Sequence, residues 1–197
     1  MKWLLVTVLL LAAQAASAQP CDPLPNGIGI YFDEVGCDYC RASAPLYTMV
    51  TGYVLATNVD PGLGGIIGFE LKLLIDPMPP TFVERIAGAS TIYLFPWYNW
   101  VPFDTAIAPA IKLFWFEFMW MGSPTRFGLG PYLPSSRHGT TPMMLAANDP
   151  ALWVPLRPSI QNVPWPGEDY GYTVAWVANC PVAVENASWG EIKSLYR

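Results

Sequence analysis

Cys37 and Cys40 stand in a C-x-x-C spacing, which suits a dithiol redox motif or half of a zinc site. A four-ligand metal site would need Cys21 and Cys180 to converge on that pair, because the chain has no second C-x-x-C and its single histidine, His138, is distant in sequence. The redox reading lacks the strand–helix context that a thioredoxin-like motif requires. Two structural disulfides ask less of the fold, and they suit an oxidising compartment. Three pairings are open. The favoured one closes a short N-terminal loop with Cys21–Cys37 and ties the start of the domain to its end with Cys40–Cys180.

The other candidates for chemistry fall short of a site. Ser135 and Ser136 adjoin His138, yet no G-x-S-x-G elbow surrounds them, and a Pro/Ser/Gly loop is a poor frame for a rigid triad. Glu70, Glu84 and Glu117 could supply a glycosidase pair only if two of them faced each other across a cleft. Asn58, Asp60 and Asp76 offer calcium oxygens without the dense spacing of a binding loop, and turn formation accounts for them. Phosphate-cradling motifs are absent. Lys plus Arg total 10 against 15 Asp plus Glu, for a net charge of −5, which excludes a basic nucleic-acid binder. The composition calls for no metal and no cofactor, and an enzyme is not the expected reading.

Aromatic excess is the remaining signal. Phe, Trp and Tyr make up 14 % of the chain, and the segment from Tyr93 to Phe103 holds six of them within eleven residues. Prolines break it, so Trp97, Tyr98 and Trp100 are candidates for a surface that stacks on sugars or anchors a protein partner. The competing expectation is a crossover that wraps the sandwich edge with its rings packed inward.

These residues need a scaffold, and its pieces are legible. Lys2, the apolar run Trp3–Ala13 and Ala16-Ser17-Ala18 have the form of a signal peptide over 1–18, cut before Gln19. Gln14 and Pro20 interrupt the run short of the roughly twenty apolar residues of a bilayer span. The expected product is a soluble extracytoplasmic protein of the periplasm or cell surface. Apolar types reach 53 % and charged types only 13 %, about half the usual quarter, so a sizeable core is expected.

The dominant period is two. Ile67, Phe69, Leu71, Leu73 and Ile75 point one way and Gly68, Glu70 and Lys72 the other, with Leu74 the exception. Further strands are expected at 29–32, 47–57, 82–86, 91–95, 111–121, 126–129, 143–146, 152–156 and 172–177, separated by Pro/Gly breakers. Many short strands predict an all-β, two-layer, mainly antiparallel sandwich over 19–183. In Ile111–Met121 both faces are apolar: Phe114, Phe116, Phe118 and Trp120 on one, Leu113, Trp115, Met119 and Met121 on the other. A central strand covered on both sides is expected there. The functional alternative is a sheet whose outer face is an aromatic platform, interrupted by Lys112 and Glu117. Over 184–197 the character changes. Ser188-Trp189-Gly190-Glu191 has capping-box spacing, and Trp189, Ile192, Leu195 and Tyr196 recur as one face of a short amphipathic helix. That tail either docks on its own sandwich or serves as a recognition tag.

The stretch Tyr53–Val59 through Gly64–Leu73, with its I-x-G-F-E-x-x-L strand, resembles the early hairpin of cohesin-like and carbohydrate-binding-module-like sandwiches. More broadly, Ile28–Asp33, Ala175–Ala183 and Trp189–Arg197 resemble a group of uncharacterised secreted bacterial sandwich proteins. In that group one cysteine precedes the second strand and another ends the last, which the resemblance places at Cys40 and Cys180. The group carries no known activity, so no functional residue transfers. The reading as a whole is a secreted, non-catalytic binding or structural module that meets a protein or polysaccharide of the envelope through an aromatic surface. A small hydrolase on the same scaffold and a subunit of a surface assembly are the alternatives.

Overall fold

Side chains alternate across a strand, so Phe69, Leu71 and Leu73 share one face and can enter one core. The computed structural model describes residues 21–22, 24–41, 44–86, 97–106, 110–132, 140–159, 163–167 and 170–178. The expected signal peptide, the tail over 184–197 with Trp189, Ile192, Leu195 and Tyr196, and the expected strand 91–95 lie outside the described residues.

Twelve strands follow in chain order: β1 (Gly27–Tyr31), β2 (Cys40–Arg41), β3 (Met49–Thr57), β4 (Ile66–Asp76), β5 (Phe82–Ile86), β6 (Trp97–Ala106), β7 (Ala110–Met119), β8 (Thr125–Gly130), β9 (Met143–Ala146), β10 (Trp153–Pro155), β11 (Arg157–Pro158) and β12 (Tyr172–Val177). They form a five-stranded sheet, β11-β1-β3-β7-β5, and a seven-stranded sheet, β10-β9-β4-β8-β12-β2 with β6 also on β4. Among the described residues only β1–β11 and β12–β2 are parallel pairs; the other pairings are antiparallel, as expected of a two-layer sandwich.

Phenylalanines from both sheets meet in the middle. Phe114, Phe116 and Phe118 of β7 face Phe69 of β4 and Phe127 of β8, with ring centroids 6.0 Å apart for Phe69–Phe114 and 5.2 Å for Phe116–Phe127. Phe116 also lies over Gly52 of β3, where a Cβ would strike its ring. Removing a ring so enclosed costs about 3–5 kcal/mol.

Several expectations are corrected by pairing geometry. β3 and β4, read as a hairpin, belong to different sheets, and the turn at Pro61–Leu63 carries the chain across. Residues 97–106 are a ten-residue strand despite Pro102, which stands opposite Gly68. Among the described residues β6 pairs with β4 alone, and an edge without a ladder partner tolerates the missing proline N–H. A register shift at Ile66–Gly68 makes Ile66 rather than Ile67 the core residue. Glu70 does point away from the core, but it is only 1 % exposed, because Met143 opposite it and nearby Leu74 are buried on the same covered face.

Candidate functional site

The outer face of the five-stranded sheet follows from which residues its core takes. Ile28 and Ile30 of β1, Val50 and Val54 of β3, and Phe114, Phe116 and Phe118 of β7 point inward. Tyr31, Tyr53 and Trp115 therefore point outward. Register puts them in one row: Tyr31 opposite Tyr53, Tyr53 opposite Trp115, and Arg85 of β5 opposite Trp115. Adjacent rings in such a row are within contact reach across the strands.

A bulge adds the cation. Val54 pairs with Phe114 but Leu55 pairs with Lys112, so Leu113 is the extra residue on β7. One extra residue reverses the alternation. Leu113 enters the core beside Phe114, against the expectation that it shares a face with Trp115, and Lys112 turns outward. Its Nζ stands 5.4 Å from the Tyr53 ring centre and 5.2 Å from that of Trp115, both within cation–π range. The same Nζ donates to Glu34 Oε1 at 2.8 Å. β7 lies between β3 and β5, and its second face is less covered than expected: Trp115, Glu117 and Met119 are half-buried, and Met121, past the end of the strand, is exposed.

At the β1 end the row meets a small cavity. Gly27 and Gly29 leave the outer face of β1 bare apart from Tyr31. Tyr31 lies back over Gly29, where a Cβ would come 2.6 Å from its ring, and the Asp22 carboxylate sits over Gly27. Asp22 Oδ2 accepts from Thr57 Oγ1 at 2.9 Å and from the Tyr31 hydroxyl at 3.3 Å, while Oδ1 accepts from the Leu24 N–H at 3.0 Å. Burial first, and then the neighbouring Asp22 charge, hold the Tyr31 hydroxyl protonated well above the ordinary tyrosine range. Ser159 Oγ is buried beside this group without a hydrogen-bond partner among the described residues. The cavity has a volume of about 210 Å³ and is closed on one side by the Cys21–Cys37 disulfide and on another by Tyr39.

The expected pairing of Cys21 with Cys37 is therefore present. Cys40 is disulfide-bonded as well, and Cys180, its expected partner, lies outside the described residues. Trp97 stands opposite Lys72 and Tyr98 opposite Leu71 on the seven-stranded sheet, with Trp100 two residues further along β6. Ser135, Ser136 and His138 lie outside the described residues. The three glutamates do not converge: Glu70 belongs to the seven-stranded sheet, while Glu84 and Glu117 occupy opposite faces of the other, opposite Phe116 and Val83. Asn58 Nδ2 donates to the carbonyls of Asp22 and Leu24, and Asp60 Oδ1 accepts from Gly62 N at 2.8 Å, so both fix turns. Among the described residues no group of three or more His, Cys, Asp or Glu is arranged to hold a metal ion.

Sequence reasoning missed Tyr53, Lys112 and the Asp22 group. The alternate glycines Gly27-x-Gly29 inside a strand were the available signal, since such glycines often mark close approach by another group. No protein-family model, no curated protein and no solved structure matches the chain.

Proposed function

We propose that the chain is a secreted, non-catalytic module that recognises a polysaccharide or protein of the cell envelope or extracellular space. The recognition surface is the outer face of the five-stranded sheet, with Tyr53 and Trp115 at its centre. The observation that carries this reading is the position of Lys112 over both rings. Half-buried rings keep one face available for a sugar or side chain, and an ammonium fixed above them supplies a donor. Trp and Tyr are also the residues on which protein interfaces concentrate binding energy. The signal-like pattern of residues 1–18 and the Cys21–Cys37 disulfide support an extracytoplasmic site of action. No helix among the described residues is long and apolar enough to cross a membrane.

The test is capture of the partner. The mature protein is immobilised and exposed to envelope extract and to a glycan array, alongside Trp115→Ala and Tyr53→Ala. A ligand held by the native chain and lost from both variants is the expected result. Ligands held equally by all three proteins would remove this face from recognition. Turnover of a sugar or ester by the pure protein would replace binding with catalysis.

A further inference from the structure

The seven-stranded sheet carries a second aromatic row, in a different arrangement. Trp176 of β12 pairs with Arg126 of β8, and Arg126 pairs with Asp76 of β4. Phe127 and Leu129 of β8 belong to the core, so Arg126 and Gly128 point outward. The guanidinium is held from two sides. Its Nε donates to Asp76 Oδ2 at 3.0 Å, with Nη2 donating to the same oxygen, and its Cζ lies 5.1 Å from the centre of the Trp165 ring. Trp165 can lie flat there because residue 128 is glycine: a Cβ would come 2.5 Å from a ring carbon. Trp176 is set in turn by an edge-to-face contact with Tyr39, centroids 6.4 Å apart.

Asp76, Arg126 and Trp176 open onto a cavity of about 250 Å³, walled by Pro77 and Thr125. The ion pair is not sealed off, since the Arg126 and Asp76 side chains remain 37 % and 52 % exposed. Both hydrogen bonds within the pair fall on Oδ2, which leaves Oδ1 and the outer guanidinium N–H groups for a ligand.

We propose that this cavity binds an uncharged sugar through two adjacent hydroxyls. A carboxylate and a guanidinium held side by side present an acceptor next to a donor. Neighbouring hydroxyls of a pyranose match that array, one donating to Asp76 Oδ1 and the other accepting from Arg126, and both bonds are charge-assisted. Trp176 supplies an apolar wall for the C–H face of the ring. A charged ligand would meet one member of the Asp76–Arg126 pair with like charge, whereas a neutral diol engages both members without repulsion. This site is independent of the Tyr53–Trp115 face and stands whether or not that face binds anything.

The experiment titrates the full chain with the methyl glycosides of glucose, mannose, galactose and xylose, followed by tryptophan fluorescence and saturation-transfer NMR. Saturable binding of at least one is expected. Trp176→Ala and Asp76→Ala should weaken it about tenfold or more. Deoxy analogues tested on the native protein need no variant to fold: removing either hydroxyl of the recognised pair should cause a loss of the same size. Failure of every glycoside to saturate overturns the proposal, as does native-like binding by Trp176→Ala and Asp76→Ala. Loss of sugar binding in Trp115→Ala with retention in Trp176→Ala overturns it too, and assigns the sugar to the five-stranded sheet.

Discussion

On the five-stranded sheet Lys112 stands over Tyr53 and Trp115 and reaches Glu34, which lies outside the sheet and is 61 % exposed. On the seven-stranded sheet Arg126 lies against Trp165 and pairs with Asp76, its register partner on the neighbouring strand. Both arrangements join a cation, a carboxylate and aromatic rings, but they differ in what fixes the cation. A guanidinium is planar and presents a rigid fork, so a ring on its face and a carboxylate on its edge hold it in one orientation. An ammonium on a flexible stem is held by the sum of weaker attractions. The seven-stranded face is thus preorganised for directional hydrogen bonds, and the five-stranded face is better suited to broad contact.

The largest difference should come from the disulfide, which closes one side of the cavity beside Tyr31 on the five-stranded face. Replacing Cys21 and Cys37 by serine releases a bridge spanning 16 residues and should lower stability by about 3 kcal/mol, read from denaturant midpoints. The same variant should weaken the alkaline behaviour of Tyr31, because the bridge closes one side of the cavity in which its hydroxyl is buried. Sugar binding at Arg126 should survive it. Next in size is Gly128→Ala, which crowds Trp165 and should cost about 1–3 kcal/mol. Its signature is a changed near-ultraviolet tryptophan spectrum with the Tyr53–Trp115 face intact. An unchanged melting temperature in Gly128→Ala would mean that Trp165 does not rest on the sheet.

Tyr31 gives the five-stranded face a pH dependence. Its hydroxyl keeps its proton in the folded chain at pH values where an unfolded tyrosine, near pH 10, has released it. Above that pH the unfolded state binds fewer protons than the folded state, so stability should fall as pH rises. Below it the contribution is fully present. Tyr31→Phe should flatten the decline between pH 10 and higher values, and urea unfolding at a series of alkaline pH values would measure it. An equal slope in the variant would show that Tyr31 is not the group responsible.

How much of this was legible in the sequence depends on whether one strand or two decide the outcome. The core of β4 follows from alternation within the strand, so Phe69, Leu71 and Leu73 were readable as one inward face. In β7 alternation grouped Phe114, Phe116 and Phe118, but two apolar faces left the inward one unassigned. Leu113 and Lys112 were not, because a bulge is a property of the pair and appears only when β7 meets β3. β6 was hidden by Pro102, a breaker in most strands that is tolerable in one that, among the described residues, pairs on one side alone. β2 and β11 are two residues long, too short for any period to show. Of the site residues, Trp115 stood out within an aromatic run. Tyr53 acquires meaning only from the register that places it between Tyr31 and Trp115. Arg126 and Asp76 are 50 residues apart in sequence and meet only through the β4–β8 register.

The smallest effect is also the sharpest probe of the comparison. If the rings rather than Glu34 hold Lys112, two double-mutant cycles should behave differently with salt. The Lys112–Glu34 pair is exposed, so its coupling should be below about 1 kcal/mol and should fade as ionic strength rises. The Lys112–Trp115 coupling should be of similar size, about 0.5–1 kcal/mol, but it acts at the face of a half-buried ring and should persist in high salt. Lys112→Met is the suitable variant because it keeps an apolar stem over the rings while removing the charge. Equal fading of both couplings would mean that the ammonium is placed by Glu34 and merely passes over Tyr53 and Trp115. Lys112 would then be free to swing away when a ligand arrives, and the five-stranded face would bind through its rings alone.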